Sequence, residues 1–391
     1  MTDHLITTQF VKANGLTFEV DQRGNGEKFA LLLHGFPESK FSWRFQLPLL
    51  AQLGYRVWAP NLRGYGNSSR PKKIADYHID HLVADVAGLI DAAGANETLL
   101  ISHDWGGAIA WHFAIKKVRP LSRLVVMNLP HPACLQREFR TWAQLKKSWY
   151  IFFFQIPWLP ERLLAARGGE AIGRAFTDMA IDKSRFPLSV TQEYRRSALE
   201  PGALRAMLNY YRAALRAGAT AMNPSPGLVD VPTLMIWGEN DSALDKATTY
   251  GTEAYVKDLT LRYLPGVSHW VQQEAPEKSE CYACGMVDRA TSCDGRRGSV
   301  TAKDLVSGQA SGYKRDQFAF DFIGVELVQR TNKSDGIGRL SGAQHRHRQH
   351  GLLGGRAHKG DPPATAAGIL ADAWHRLLEQ FVEAIKDVKG G

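Results

Sequence analysis

Asp104, Asp241 and His269 lie far apart in the sequence, yet each sits in a local setting suited to nucleophilic catalysis. Asp104 falls in Leu99-Leu100-Ile101-Ser102-His103-Asp104-Trp105-Gly106-Gly107, an apolar run succeeded at once by small residues. The run reads as a buried strand, and Ile109, Ala110, Trp111 and Phe113 recur after it as a buried helix requires. Only a sharp turn fits between the two. Ser102, Gly106 and Gly107 permit one, so the carboxylate in the middle is pushed out at the strand end. A carboxylate attacks sp3 carbon bearing a strained or good leaving group and leaves an alkyl ester; epoxides and alkyl halides are such electrophiles. The plainer alternative makes Asp104 a simple helix N-cap. The order of the other two groups tells against it: Asp241 stands just past the apolar run 232–237, and His269 just past the run 259–264 and the turn at Gly266. In the sequence nucleophile, acid, base, His269 takes a proton from water while Asp241 fixes its tautomer and balances its charge.

These three side chains need a sheet whose strands all end on one edge. Phe10 to Val20 reads as two short strands turned at Asn14-Gly15. Phe29 to Leu33 is unbroken apolar sequence, which suits a strand covered on both faces, and it runs into His34-Gly35-Phe36-Pro37-Glu38-Ser39. In that exit loop the backbone N–H of Phe36, with that of Trp105, is placed to hold the negative charge of an ester's tetrahedral intermediate. Tyr55 to Pro60 is the next strand. A helix through Leu82, Val83, Val86, Leu89 and Ile90 leads to the elbow, and Leu124 to Met127 closes the first half. From 132 to 226 the pattern turns helical throughout, with many aromatic residues. An insertion there forms a lid over the carboxyl edge of the strands. Two of its stretches hold tyrosines, 148–155 and 208–212; beside a nucleophilic carboxylate a tyrosine can donate to an oxygen leaving group, whereas periodicity alone reads the same aromatics as core. The expected architecture is α/β: a mostly parallel central sheet flanked by helices, with an all-helical cap after the sixth strand. Its parts are a core in two pieces, 1–131 and 227–278, the cap 132–226, and an extension 279–391.

With these residues assembled, the chain from about 5 to 278 resembles the soluble epoxide hydrolases of the α/β-hydrolase superfamily. The resemblance rests on HGFPES at 34–39, RGYGNS at 63–68, SHDWGG at 102–107, GEND at 238–241, GVSHW at 266–270, and the cap segments YIFFFQ at 150–155 and NYYR at 209–212. It implies that Tyr150 and Tyr211 polarise the epoxide oxygen, with Tyr210 the fallback for the second. It also implies that His34, Pro37, His103, Phe153 and Trp270 line the substrate site, that the partner is a small-molecule epoxide, and that neither metal nor organic cofactor is required. Haloalkane and fluoroacetate dehalogenases are similar rivals, but the first usually carry asparagine where Phe36 stands and the second arginine where Trp105 stands. A catalytically silent hydrolase fold acting as a binding protein is the alternative outside enzymes.

The 391 residues carry a net charge of +9 spread along the chain, which gives no case for nucleic acid. No apolar run reaches spanning length and Met1-Thr2-Asp3-His4 opens no signal peptide, so a cytoplasmic monomer or homodimer without a membrane partner is expected. Four cysteines make no disulfide framework. Relatives continue after the equivalent of Lys278 with a helix reading roughly VNAMLAA, whereas this chain has Ser279-Glu280-Cys281-Tyr282-Ala283-Cys284-Gly285. One permitted set of codons for those seven residues, read one nucleotide later, encodes Val-Asn-Ala-Met-Leu-Ala-Ala. A frameshift therefore accounts for the tail and removes the usual last helix. Cys281, Cys284 and Cys293 with His345, His347 and His350 form only a weak zinc pattern. The stretch 336–360 has a disordered composition, and 369–388 has the apolar spacing of an amphipathic helix.

Overall fold

The first turn is set by two residues, Asn14 and Gly15, both at positive φ (46° and 71°). They join β1 (Thr7–Ala13) to β2 (Leu16–Arg23) with Ala13 opposite Leu16, as a two-residue hairpin demands. The computed structural model describes residues 5–222 and 228–287. After the hairpin come β3 (Lys28–Leu33), α1 (Gln46–Gln52), β4 (Tyr55–Pro60), α2 (Ile79–Ala92), β5 (Thr98–His103), α3 (Trp105–Ile115) and β6 (Leu121–Met127). The cap comes next as α4 (Pro132–Glu138), α5 (Trp142–Lys147), α6 (Trp149–Phe153), α7 (Leu159–Met179), α8 (Leu188–Leu199) and α9 (Ala203–Met222). The sheet then resumes with β7 (Thr233–Gly238) and β8 (Leu259–Leu264), and α10 (Val271–Glu274) and α11 (Pro276–Val287) close the described chain.

The eight strands form one sheet in the order β1-β2-β4-β3-β5-β6-β7-β8. β1 and β2 pair antiparallel, as do β2 and β4; every later pairing is parallel. All parallel strands therefore end on one edge. Alternation along the strands splits the apolar residues between two faces: Leu31, Leu33, Leu100 and Val126 join one cluster, Leu32, Leu99, Ile101 and Val125 the other. Burial on both sides is why these strands read as unbroken apolar runs. The cap stands between the sixth and seventh strands, where the sequence places it. Arg63, in the loop after β4, lies in a buried ion pair with Asp85 of α2 at 2.6 Å, which fixes that loop to the core.

One expectation is corrected at the end of the hydrolase core. Residues after Lys278 do not abandon the helix: α11 runs from Pro276 to Val287, so the boundary at 278 falls inside it. Ser279 is fully buried, its N–H bonded to the Ala275 carbonyl at 3.1 Å, and Tyr282 packs against the sheet's second apolar cluster. Proline at the start and no glycine before Gly285 suit a helix whatever the reading frame. Stretches 336–360 and 369–388, with Cys293 and the three zinc-candidate histidines, lie outside the described residues. Among the described residues no helix is long and apolar enough to cross a membrane, and no cluster of His, Cys, Asp or Glu is placed to hold a metal ion.

Candidate active site

Asp104 sits between β5 and α3 with φ 48° and ψ −121°, a backbone conformation that costs a non-glycine residue about 1–3 kcal/mol. Its neighbours have no freedom to relieve it. A Cβ on Gly106 would lie 2.2 Å from the Leu33 carbonyl oxygen, and one on Gly35 would lie 2.3 Å from the Cβ of Asp104. Glycine at both places lets β3 and its exit loop close against the elbow. The carboxylate is aimed by this closure: the Phe36 N–H donates to Asp104 Oδ1 at 2.8 Å, while Oδ2 is 3.5 Å from His269 Nε2. The Asp104 side chain keeps 13 % of its surface exposed.

His269 comes after β8, and its Nδ1 bonds Asp241 Oδ2 at 2.7 Å. Asp241 is itself held from three further directions. Asn128 Nδ2 donates to Oδ2 at 2.7 Å, and the N–H groups of Ala243 and Leu244 donate to Oδ1 at 2.7 and 2.9 Å. Burial opposes charge on both carboxyls, but His269 outweighs it, helped by His103 and the Phe36 N–H at Asp104 and by Asn128 and the Leu244 N–H at Asp241, and each stays below the ordinary aspartate value. For His269 burial works against the imidazolium, yet the charge and hydrogen bond of Asp241, with the Asp104 carboxylate close by, push its pKa up to about 10. The resting site is then carboxylate, imidazolium, carboxylate. Neutralising either anion would lower the His269 pKa.

The proton on His269 should also govern stability. Its imidazolium gains its partners only in the folded state, so its stabilisation is complete below the ordinary histidine value of 6.5 and is lost as pH rises toward about 10. In Asp104→Asn the ring should titrate at lower pH than in the wild type, by at least about one unit, when traced by imidazole NMR. Equal titration in the two proteins would show that Asp104 does not govern the proton on His269.

The two cap tyrosines stand over this group. Tyr150 on α6 and Tyr211 on α9 have ring centroids 5.8 Å apart, and Tyr211 packs edge-on against Trp105 at 5.1 Å and Phe36 at 5.3 Å. Burial first, then the Asp104 charge, raise the Tyr150 hydroxyl well above the ordinary phenol value; burial, Tyr150 and Asp104 do the same for Tyr211. Both therefore stay protonated donors. Tyr210 is occupied elsewhere, since its hydroxyl donates to the Arg63 carbonyl at 2.8 Å. Phe153 is half-buried in the same apolar cluster as Tyr150 and Tyr211.

Three expected substrate-lining residues are corrected. His34 Nδ1 is bonded to the Gly35 carbonyl and its Nε2 accepts the Leu62 N–H; His103 Nδ1 bonds Glu38 and its Nε2 bonds the His269 carbonyl at 2.8 Å. With both ring nitrogens committed and both side chains fully buried, the two histidines brace the elbow and the base. Trp270 is also buried, packed against Phe176 at 4.5 Å and 5.0 Å from the His269 ring, so it backs the base. Pro37 is buried in the exit loop beside Phe36.

Four side chains not singled out in the sequence hold the site together. Glu38, fully buried, accepts from the Gly35 N–H, from His103 and from the amides of Gln272 and Gln273 on α10, so one carboxylate ties the exit loop, the elbow and the helix after the base. Gln144 on α5 donates to the Ala243 carbonyl and accepts from the Asp245 N–H, while Lys147 donates to the Asp241 carbonyl at 3.1 Å. The cap is thereby bolted to the loop bearing the acid. Arg212 donates to the carbonyls of Phe154 and Ile156 and pairs with Glu161 at 2.6 Å, which clamps α9 to the end of α6 and sets Tyr211 relative to Tyr150. Its position beside Tyr211 in the NYYR segment was the available signal.

Residues 31–276 match the model of the alpha/beta hydrolase fold. The chain is 39 % identical over 277 residues to the AB hydrolase superfamily protein YfhM of Bacillus subtilis, covering 69 % of this chain and 94 % of that one. It is 37 % identical over 274 residues to Epoxide hydrolase 4 of Homo sapiens, covering 68 % and 74 %. Among solved structures, the Bacillus megaterium epoxide hydrolase in complex with an inhibitor superposes with a TM-score of 0.66 at 28 % identity, over 71 % of this chain and 99 % of that one. Epoxide hydrolase I of potato (Solanum tuberosum) gives 0.65 at 26 %, over 73 % and 100 %. The chain belongs to the α/β-hydrolase family, among its epoxide hydrolase-like members.

Proposed function

We propose that this enzyme opens epoxides to vicinal diols through a covalent ester on Asp104. The observation that carries the reading is a carboxylate at a nucleophile elbow, one oxygen held by the Phe36 N–H at 2.8 Å and the other 3.5 Å from His269, beneath the paired tyrosines of the cap. Asp104 attacks a ring carbon from behind, and the C–O bond to the epoxide oxygen breaks as the ester C–O bond forms. Tyr150 and Tyr211 donate to that oxygen as charge develops, and one supplies the proton that makes it a hydroxyl. Once Asp104 is an ester, the His269 imidazolium passes its proton through water to the tyrosinate; neutral His269 then takes a proton from water, the hydroxide adds to the ester carbonyl, and the Phe36 and Trp105 N–H groups hold the oxyanion. Collapse expels the glycol alkoxide, which takes the proton of the newly formed carboxyl group to become the diol and restore the carboxylate, with Asp241 balancing the imidazolium that remains. The side chains of Tyr150, Tyr211, Phe36, Trp105, Phe153 and Phe154 support an apolar setting for the small substrate.

Styrene oxide in heavy-oxygen water tests this. Under single turnover, with enzyme in excess, the diol should be unlabelled, because its new oxygen comes from Asp104, while the heavy isotope remains in the carboxylate. Further turnovers should give labelled diol. Label in the diol of the first turnover means direct attack by water, and halide release from haloalkanes with no diol from any epoxide assigns the same triad to dehalogenation.

A further inference from the structure

Five of the large hydrophobic side chains left in solvent among the described residues fall in the cap stretch 142–158: Trp142 is 70 % exposed, Trp149 40 %, Phe152 54 %, Ile156 42 % and Trp158 64 %. Exposed apolar residues scattered singly mean little; a concentration of this kind marks a contact surface. The short helix α6 divides them from the catalytic face. Tyr150 and Phe154, one turn apart, pack inward onto Tyr211, whereas Phe152 on the helix and Ile156 just past its end are exposed. The helix that holds Tyr150 over Asp104 thus has an oily outer side.

Charge says what could cover it. From Thr141 to Pro160 the chain has no acidic residue. Lys146 lies 5.3 Å over the ring of Trp142, and Arg162 lies 5.9 Å over that of Trp158. The flanking carboxylates are already neutralised, Glu138 by Arg137 and Glu161 by Arg212. Exposed aromatic rings with cations over them are the pattern that settles at the headgroup layer of a bilayer, the ring in the interface and the cation against anionic lipid. A second copy of the chain fits less well, because it would set Lys146 and Arg162 against their own equivalents with no acid in the stretch to receive them.

We propose that the outer face of the cap, built on Trp142, Phe152, Ile156 and Trp158 and edged by Lys146 and Arg162, docks on an anionic lipid surface. The expectation of no membrane partner rested on the lack of a spanning run; attachment to the surface needs none. Docking would bring the cap to the phase into which apolar epoxides partition.

The test uses the full chain and vesicles of phosphatidylcholine with or without phosphatidylglycerol, read by co-sedimentation. The wild type should bind only vesicles containing phosphatidylglycerol. Phe152→Ser with Trp158→Ser, and separately Lys146→Glu with Arg162→Glu, should each weaken partitioning by about ten-fold. Thermal melting, which does not depend on the epoxide reading, should stay close to the wild type and certifies the fold of both variants. A folded wild type that ignores anionic vesicles overturns the proposal, as does undiminished binding in either variant. A concentration-dependent dimer that both pairs of substitutions abolish, with vesicle binding intact, assigns the face to a second copy instead.

Discussion

Changing His269 to glutamine should give a protein that reacts once with its epoxide and then stops. The opening step draws on groups this substitution leaves in place: Asp104, its bond from the Phe36 N–H at 2.8 Å, and the two tyrosines. The second step loses its base. Asp241 remains held by Asn128, Ala243 and Leu244, so the surrounding frame survives the exchange. Turnover should fall on the order of 10³-fold, the usual worth of a positioned general base. Intact mass should meanwhile rise by the mass of one epoxide, with the adduct on the peptide bearing Asp104. Turnover at the wild-type rate would mean that another group activates the water. A dead variant with no adduct would mean that the imidazolium is needed to open the ring.

The triad was legible because each of its members comes after an apolar run at a turn, and both signals are local. Unbroken apolar sequence at Phe29–Leu33 and Leu99–Ile101 dictates strands buried on two faces, and Asn14-Gly15 dictates the hairpin. Glu38, Asn128, Gln144 and Arg212 were not legible as a group, since a polar side chain shows its importance only when its partners arrive from distant elements. Glu38 draws His103 from β5 and two glutamines from α10. His103 was misplaced for a related reason. Adjacency to Asp104 in sequence suggests adjacency to substrate, but the chain turns sharply at Asp104, and both nitrogens of the buried His103 ring are taken up by Glu38 and the His269 carbonyl. The tyrosine pair shows a related effect on a helix: residues 210 and 211 differ by about 100° of rotation, which sends one hydroxyl to the Arg63 carbonyl and sets the other ring against Phe36, Tyr150 and Phe154.

Burial at the start of α11 bears on the reading frame. Ser279 is fully buried against the core, where the shifted frame encodes valine. Glu280 is half-buried with one long hydrogen bond, from Gln46 at 3.4 Å, and burial together with the nearby Glu277 pushes its pKa up to about 8. The Ser279 hydroxyl is met by the Pro276 carbonyl at 3.0 Å, but a helix selected for this seat would not bury the Glu280 carboxyl with so weak a partner. The relatives agree in extent, since 71 % of this chain covers 99 % of the Bacillus megaterium enzyme. Both observations support a shift in frame after Lys278, which sequencing of independent isolates tests directly.

Replacing both cap tyrosines by phenylalanine should have an effect as large as removing the base, but on the other half of the reaction. An epoxide oxygen leaves as an alkoxide, and the carboxylate cannot displace it at a useful rate unless donors meet the charge as it forms. Losing one such donor costs about 10²–10³-fold. Tyr150→Phe and Tyr211→Phe should each slow ester formation by that factor. The double variant should lose less than the product of the two, because both hydroxyls donate to the same oxygen and act as a unit, so removing one already forfeits most of what the pair supplies. Phenylalanine keeps the ring, so the packing with Phe36, Trp105 and Phe154 persists and the fold is spared. Ester formation can be tracked in single turnover through the fluorescence of Trp105, which adjoins the nucleophile. Ester hydrolysis, which passes through His269 and the exit-loop N–H, should keep its rate. Burial holds both hydroxyls far above the ordinary phenol range, so the wild-type donors should not titrate anywhere in the working pH range. A double variant that forms ester within about ten-fold of the wild-type rate, well inside the loss expected for even one donor, would reduce these tyrosines to packing and leave the opening of the ring to a donor elsewhere on the cap.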